Sequence, residues 1–131
     1  MKKLTRRRFL LASATTVAFT SLSPRSWSQV IGANEDVRIA VIGVNGRGAS
    51  HIGEFKKIKG VKIVALCDVD LRVLDARAKN MEGVKKYQDF RKLLEDKEID
   101  AVSIATTNHS HSLIAVSACQ AGKDVYVEKP C

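Results

Sequence analysis

The sequence is sparing with cysteine and aromatic residues and has no long apolar run, and each shortage removes a class of protein. Three cysteines, Cys67, Cys119 and Cys131, have neither the even count nor the close spacing of a disulfide framework, and no C-x-x-C pair suggests a metal or redox site. Cys67 stands in an apolar run and Cys119 among small residues, so both are expected to be buried as small hydrophobes. Aromatics make up 5% of the chain, and no basic stripe interleaves with them as a surface tracking a phosphate backbone would need; nucleic acid is not an expected partner. No stretch reaches the roughly 20 predominantly apolar residues of a membrane span. Acidic residues are missing from the first thirty positions, which hold six of the 22 basic side chains (Lys2, Lys3, Arg6, Arg7, Arg8 and Arg25). That asymmetry carries most of the formal net charge of +8, because the 16 basic residues that remain face 14 acidic ones. Such a balance suits an ordinary solvated surface.

What is present begins with an address. Lys2, Lys3 and Arg6 to Arg8 form a charged front, Phe9 to Ser23 a mildly apolar stretch diluted by Ser and Thr, and Pro24 opens a polar tail. This is the layout of a signal peptide. Within it, Thr5-Arg6-Arg7-Arg8-Phe9-Leu10 resembles the twin-arginine signal, in which paired arginines precede a variable residue and an apolar pair. Residues 1–30 are therefore expected to be a twin-arginine signal peptide, cleaved after Ser28, that sends the protein to the periplasm or outside the cell. The resemblance implies the twin-arginine translocation machinery as a partner. That machinery carries folded proteins, so a cofactor can be loaded before export.

Residues 31–131 are enough for one compact domain. Apolar runs alternate here with helical patterns. Val37 to Ile42, Val61 to Cys67, a short Lys85 to Tyr87, Ile99 to Ala105 and Asp124 to Val127 read as strands. Between them, residues 46 to 59 place Ala49, Ile52, Phe55 and Ile58 at helical spacing. Asp70 is placed to cap a helix with Leu71, Leu74 and Ala78 on one face, and Asp89 to cap a brief one carrying Phe90, Leu93 and Leu94. Residues 110 to 121 form the last helix, closed by Gly122. Strand-helix alternation with short connections predicts a doubly wound parallel α/β sheet, the Rossmann arrangement. In such sheets ligands bind beyond the carboxyl ends of the strands, near the point where strand order reverses.

After the first strand, Gly43-Val44-Asn45-Gly46-Arg47-Gly48 fits G-x-G-x-x-G with Asn45 in the middle glycine position. It follows a strand and opens a helix, the context that gives the pattern its meaning: tight turn at Gly43, close helix-sheet approach at Gly48, and a diphosphate on the helix start. Asn tolerates left-handed φ, and Gly46 is able to share the role of the displaced glycine. Asp68 ends the second strand 20 residues after Gly48, where a carboxylate accepts from both hydroxyls of a ribose. That favours NAD, since a 2′-phosphate would meet like charge; Arg47 and Arg72 lie close enough in sequence to keep NADP open.

The fourth strand exits into Thr106-Thr107-Asn108-His109-Ser110-His111 and the fifth into Glu128-Lys129-Pro130. With the glycine turn, the Cys67-Asp68 strand end and the Ala121-Gly122-Lys123 turn, these resemble the N-terminal domain of the glucose-fructose oxidoreductase, inositol dehydrogenase and rhizopine-catabolism (Gfo/Idh/MocA) family over residues 36 to 130. Thr107 stands where the family's loop usually has proline. The resemblance implies that Thr106, Asn108, His111 and Glu128 lie along the cofactor with Gly43, Asn45, Gly46, Arg47, Gly48 and Asp68. It also implies that Lys129 is catalytic, its amine shuttling the proton of a sugar or polyol hydroxyl as hydride leaves. His109 and His111 lack the further ligands of a metal site, and His51 reads as an ordinary helix residue. Pro130 makes the preceding bond a candidate for cis.

Family members continue past E-K-P into a larger α/β substrate domain, so this chain is expected to be cut off before it and incompetent alone, and the full-length form to be a homo-oligomer. Two alternatives stay open. One is a glycosidase of the same family whose bound NAD is never released; the other is a non-catalytic nucleotide-binding fragment.

Overall fold

The computed structural model describes residues 36–130, so the expected signal peptide and Cys131 lie outside the described residues. Strands β1 (Val37–Ile42), β2 (Val61–Cys67), β3 (Lys85–Tyr87), β4 (Ala101–Ile104) and β5 (Asp124–Val127) alternate with helices α1 (Gly46–Phe55), α2 (Leu71–Ala78), α3 (Phe90–Leu94) and α4 (Asn108–Gln120). All strand pairs are parallel, in the order β3-β2-β1-β4-β5. The chain runs outward from β1 to β3, then returns to the other side of β1 for β4. The strand order therefore reverses between β1 and β4, and the crevice at their carboxyl ends is where such sheets take ligands.

Alternation along β1 supplies both layers of the core. Ile39 and Val41 pack with Ile52 of α1 and Leu74 of α2 on one face, while Ala40 and Ile42 pack with Leu93 of α3 and Ile114 of α4 on the other. Register against β1 slips at one point: Ile39 pairs with Ile63 but Ala40 with Ala65, which leaves Val64 as an extra residue in β2. That insertion lets Ile63 and Leu66 share the α1-α2 face although they are three apart.

Caps follow the sequence reading. The carboxylates of Asp70 and Asp89 accept from the amides of Arg72 and Arg91 at the starts of α2 and α3. Other details differ. Helix α1 ends at Phe55 rather than running to residue 59, because Lys57 N–H and Ile58 N–H donate to the carbonyls of Glu54 and Phe55 in tight turns that lead into β2. Ile58 is left half exposed by that turn. Leu71 is exposed while Leu74 is buried, since Leu71 directly follows the Asp70 cap at the rim, and α2 reaches the sheet one turn later. Strand β4 is shorter than residues 99–105, and α4 starts at Asn108, two residues earlier than expected. Cys67 is buried, and burial pushes its thiol up to about 12. Cys119 is exposed: it adjoins the fully buried Ala118, and consecutive helix positions point in different directions.

Lys123 of the A-G-K turn has a structural task. Its Nζ donates to the carbonyls of Asp96 (2.8 Å) and Ile99 (2.7 Å), tying the turn before β5 to the connection before β4. Asp96 in turn accepts from Lys85 Nζ and Tyr87 Oη through its carboxylate. These donors, Lys85 foremost, together with the Glu98 amide, hold the Asp96 carboxyl down at about 2. A depressed folded-state pKa contributes stability that is present above the unfolded value of ~3.9 and lost as pH falls through the folded value. The thermal midpoint should therefore be flat from about pH 7 to 5 and fall between about pH 4 and 2. Asp96→Asn should lower the neutral-pH midpoint and make the acid limb shallower; an unchanged limb by circular dichroism would remove Asp96 from the account.

Candidate functional site

A cleft of about 820 Å³ opens at the switch point, a size suited to a cofactor. Its floor is Ile42 and Gly43 at the exit of β1 and Ala105 and Thr106 at the exit of β4; Asp68, Val69 and Gln88 line the side beyond β2 and β3. Both α1 and α4 begin at its edge, with Asn45, Gly46 and Arg47 on one side and Thr107, His109 and Ser110 on the other. Each helix start brings backbone N–H groups that lack intrahelical acceptors and favours negative charge.

The glycine turn is shaped by contacts that admit no side chain. A Cβ on Gly48 would overlap the carbonyl of Gly43, and one on Gly43 would meet the Ala105 carbonyl oxygen at 2.7 Å, with φ at +83° besides. Asn45 is extended (φ −91°) and caps α1, its Oδ1 accepting from Gly46 N–H; the left-handed position falls on Gly46, at φ +44°. Asn45 thus does not take over a left-handed glycine conformation; it keeps its backbone amide and adds a side chain that caps α1. Gly48 N–H donates to the Asn45 carbonyl, which leaves the Arg47 amide as the first-turn donor without an acceptor among the described residues. Asp68 ties the turn to the sheet: Oδ2 accepts from Val44 N–H at 2.9 Å and Oδ1 from Asp70 N–H at 3.0 Å. Each oxygen keeps a lone pair for a sugar hydroxyl. Arg72 is engaged elsewhere, forked onto Asp70 at 3.0 and 3.2 Å beside a smaller groove that it lines with Asn45 and Arg77.

The predicted site residues divide into a wall and a support. Gly43, Asn45, Gly46, Arg47, Asp68 and Thr106 line the cleft, and Gly48 lies directly behind it. Asn108 is exposed at the first turn of α4, and Lys129 is exposed just past β5; neither is among the residues lining the cleft. His111 lies behind the wall, buried, with Nδ1 2.9 Å from the Pro130 carbonyl oxygen and Nε2 3.0 Å from that of Thr106. It joins the exits of β4 and β5, while Thr106 itself lines the cleft. The Lys129-Pro130 bond is cis.

Glu128 also stands behind the wall, and with it a residue that the sequence reading passed over. His51 is buried on α1, its Nε2 2.8 Å from Glu128 Oε1 and its Nδ1 2.8 Å from Ser103 Oγ. Phe55 and Tyr126 meet its ring edge-on. Arg47 Nε donates to the same Glu128 oxygen at 3.0 Å. These donors, His51 before Arg47, lower the Glu128 carboxyl from its ordinary range. A serine, a histidine and a carboxylate in line invite comparison with a hydrolytic triad, but Ser103 is fully buried in β4 and out of reach of any substrate. The line is a brace between α1, β4 and the exit of β5. One signal for it was available: His51 shares the inward face of α1 with Gly48 and Ile52. Gln88 and Phe90 were missed as cleft residues too, although they follow β3 directly and the strand-end rule points to them.

A parallel doubly wound sheet, a glycine turn built on backbone contact and a carboxylate closing the next strand together define a dinucleotide-binding domain. Residues 37–131 match the model of the Gfo/Idh/MocA group, described as the oxidoreductase family with an NAD-binding Rossmann fold. A glycosyl hydrolase family 109 protein of Shewanella pealeana is 31% identical over 154 residues, covering 98% of this chain and 34% of its own length. An alpha-N-acetylgalactosaminidase of Shewanella oneidensis is 33% identical, covering 92% of this chain and 28% of its own. Among solved structures, scyllo-inositol dehydrogenase from Lactobacillus casei with bound NAD(H) and scyllo-inositol superposes with a TM-score of 0.69 at 32% identity, over 73% of this chain and 28% of that one. This chain belongs to that oxidoreductase family, and its residues 37–131 match the family's NAD-binding Rossmann domain. It spans about a third of the length of the curated relatives it matches.

The two inner glycines should respond differently to the same substitution. Gly48→Ala forces backbone apart and should cost at least about 3 kcal/mol, the upper end for overpacking, together with NAD affinity. Gly46→Ala meets no atom within 4 Å and should cost only the roughly 1–2 kcal/mol of a left-handed side-chain residue. Melting midpoints and NAD titration of the two variants check this; equal losses would refute the contact as the cause.

Proposed function

We propose that this domain serves an oxidoreductase that removes hydride from a hydroxyl-bearing carbon of a sugar or polyol, with Lys129 handling the hydroxyl proton. The carrying observation is topological. β5 pairs in register with β4, Ile104 opposite Val127, so Glu128-Lys129-Pro130 leaves the sheet at the same edge as Thr106 and the cleft. When bound, NAD supplies the hydride acceptor. The chain's own groups do the rest: Asp68 holds a ribose, the start of α1 holds the diphosphate, and the exposed Lys129 amine is available to a substrate presented from above the cleft. The inositol dehydrogenase neighbours support a polyol as the substrate class. Titration of the soluble chain should show NAD binding that Asp68→Ala weakens at least about tenfold, the loss of charge-assisted hydrogen bonds. Binding that survives this change intact would end the assignment of Asp68.

The curated relatives favour a second reading, glycoside cleavage, in which the bound NAD would stay in place. Turnover by the protein that carries this domain separates the two: a dehydrogenase builds up the absorbance of reduced nicotinamide, whereas the glycosidase releases sugar with no net change. For the location, the Arg6-Arg7 pair ahead of Phe9-Leu10 supports export through the twin-arginine route to the periplasm or beyond. Changing both arginines to lysine should retain the protein in the cytoplasm by fractionation; unaltered export would redirect it to another pathway. A homo-oligomeric full-length form fits the same reading, and sedimentation measures it.

A further inference from the structure

The brace behind the cleft and the arginine at its lip meet at one atom. Glu128 Oε1 takes both His51 Nε2 and Arg47 Nε, and only Arg47 of these residues also lines the cleft, beside Gly46 at the start of α1. Glu128 itself is largely buried, with 13% of its side chain exposed, while Arg47 is 67% exposed and would otherwise sample many rotamers. The Glu128 backbone is anchored as well, its N–H donating to the Ile104 carbonyl at 3.0 Å. A long exposed side chain is thus pinned midway along its length to a carboxylate that a buried ring and the sheet hold in place.

We propose that His51 and Glu128 are positioning residues for the cofactor: they aim the Arg47 guanidinium at the diphosphate that the start of α1 receives. This inference rests on the NAD-binding reading of the cleft and assigns it a device. Neither His51 nor Glu128 is among the residues lining the cleft. His51 braces Glu128 against Ser103, Glu128 fixes Nε of Arg47, and the terminal nitrogens of Arg47 are left for phosphate oxygens, the pairing for which a planar guanidinium is suited. An aimed side chain has already lost the rotamer freedom that binding would otherwise cost, a saving of about two- to tenfold in affinity per side chain. The opposite expectation is equally definite: a carboxylate that merely neutralises Arg47 would weaken phosphate binding, and its removal would tighten it.

The test is a double-mutant cycle on the full chain, titrated with NAD and with ADP-ribose, which keeps the diphosphate and lacks the nicotinamide. Arg47→Ala should weaken both ligands about tenfold. Glu128→Ala should weaken both about fivefold, Glu128→Gln should restore most of the loss because its carbonyl oxygen still accepts, and the Arg47→Ala/Glu128→Ala pair should match Arg47→Ala alone. His51→Gln, which keeps an amide donor, should stay near wild type where His51→Ala does not; melting midpoints show whether each variant is folded. Tighter binding in Glu128→Ala, or losses that simply add in the double variant, would overturn the aiming role while leaving NAD binding standing. A wild-type chain that bound neither ligand would instead remove the cofactor reading and this inference with it.

Discussion

The site depends on two stretches of backbone being allowed to touch. Gly48 at the start of α1 lies against the carbonyl of Gly43 at the exit of β1, and Gly43 lies against the backbone of Ala105 and Thr106 at the exit of β4. Without side chains at these points, the helix start drops to the level of the strand ends, which brings Arg47, whose amide has no acceptor among the described residues, to the crevice. Every other feature of the cleft takes its position from that approach. Ile42 and Ala105 become its floor, and Asp68 reaches Val44 N–H only because the turn is held low enough to meet it.

Polar groups then lock what the glycines permit, and they do so from behind. Asp68 stitches the turn to β2, His111 links the exits of β4 and β5, and His51 links α1 to Ser103 and Glu128. Among the described residues no buried side-chain nitrogen or oxygen lacks a partner, so this polar layer meets the requirement that burial imposes. The division between wall and support follows from chemistry. Residues that meet a ligand must keep lone pairs or amides free, whereas residues that hold the wall use theirs on the protein. Glu128 and Lys129 are neighbours in sequence yet differ in surroundings, one largely buried and bonded, the other exposed and outside the cleft lining.

Much of the architecture was legible because its signals are local. The strands β1, β2, β3 and β5 read true to their bounds, and Asp70 and Asp89 cap as their positions suggest, since short apolar runs and capping carboxylates act within a few residues. The misreadings lie where distance matters. Cys119 looked inward among its small neighbours, but the sheet lies on the Ala118 side; Ile58 fitted the helical period, but the turn into β2 ended the helix first. Asn45 was expected to share a left-handed role that went wholly to Gly46, because an asparagine before a helix gains more by capping it.

From sequence alone came the alternating sheet and helices, the glycine turn, the carboxylate that closes β2 and the E-K-P exit, all written in contiguous residues. The tertiary structure decided which of these groups line the cleft and which lie behind it. His51 and Glu128 are 77 positions apart, and His51 and Ser103 are 52 apart. Their meeting depends on β4 and β5 stacking beside β1 beneath α1, and no period or motif within a single segment encodes a contact made between three of them.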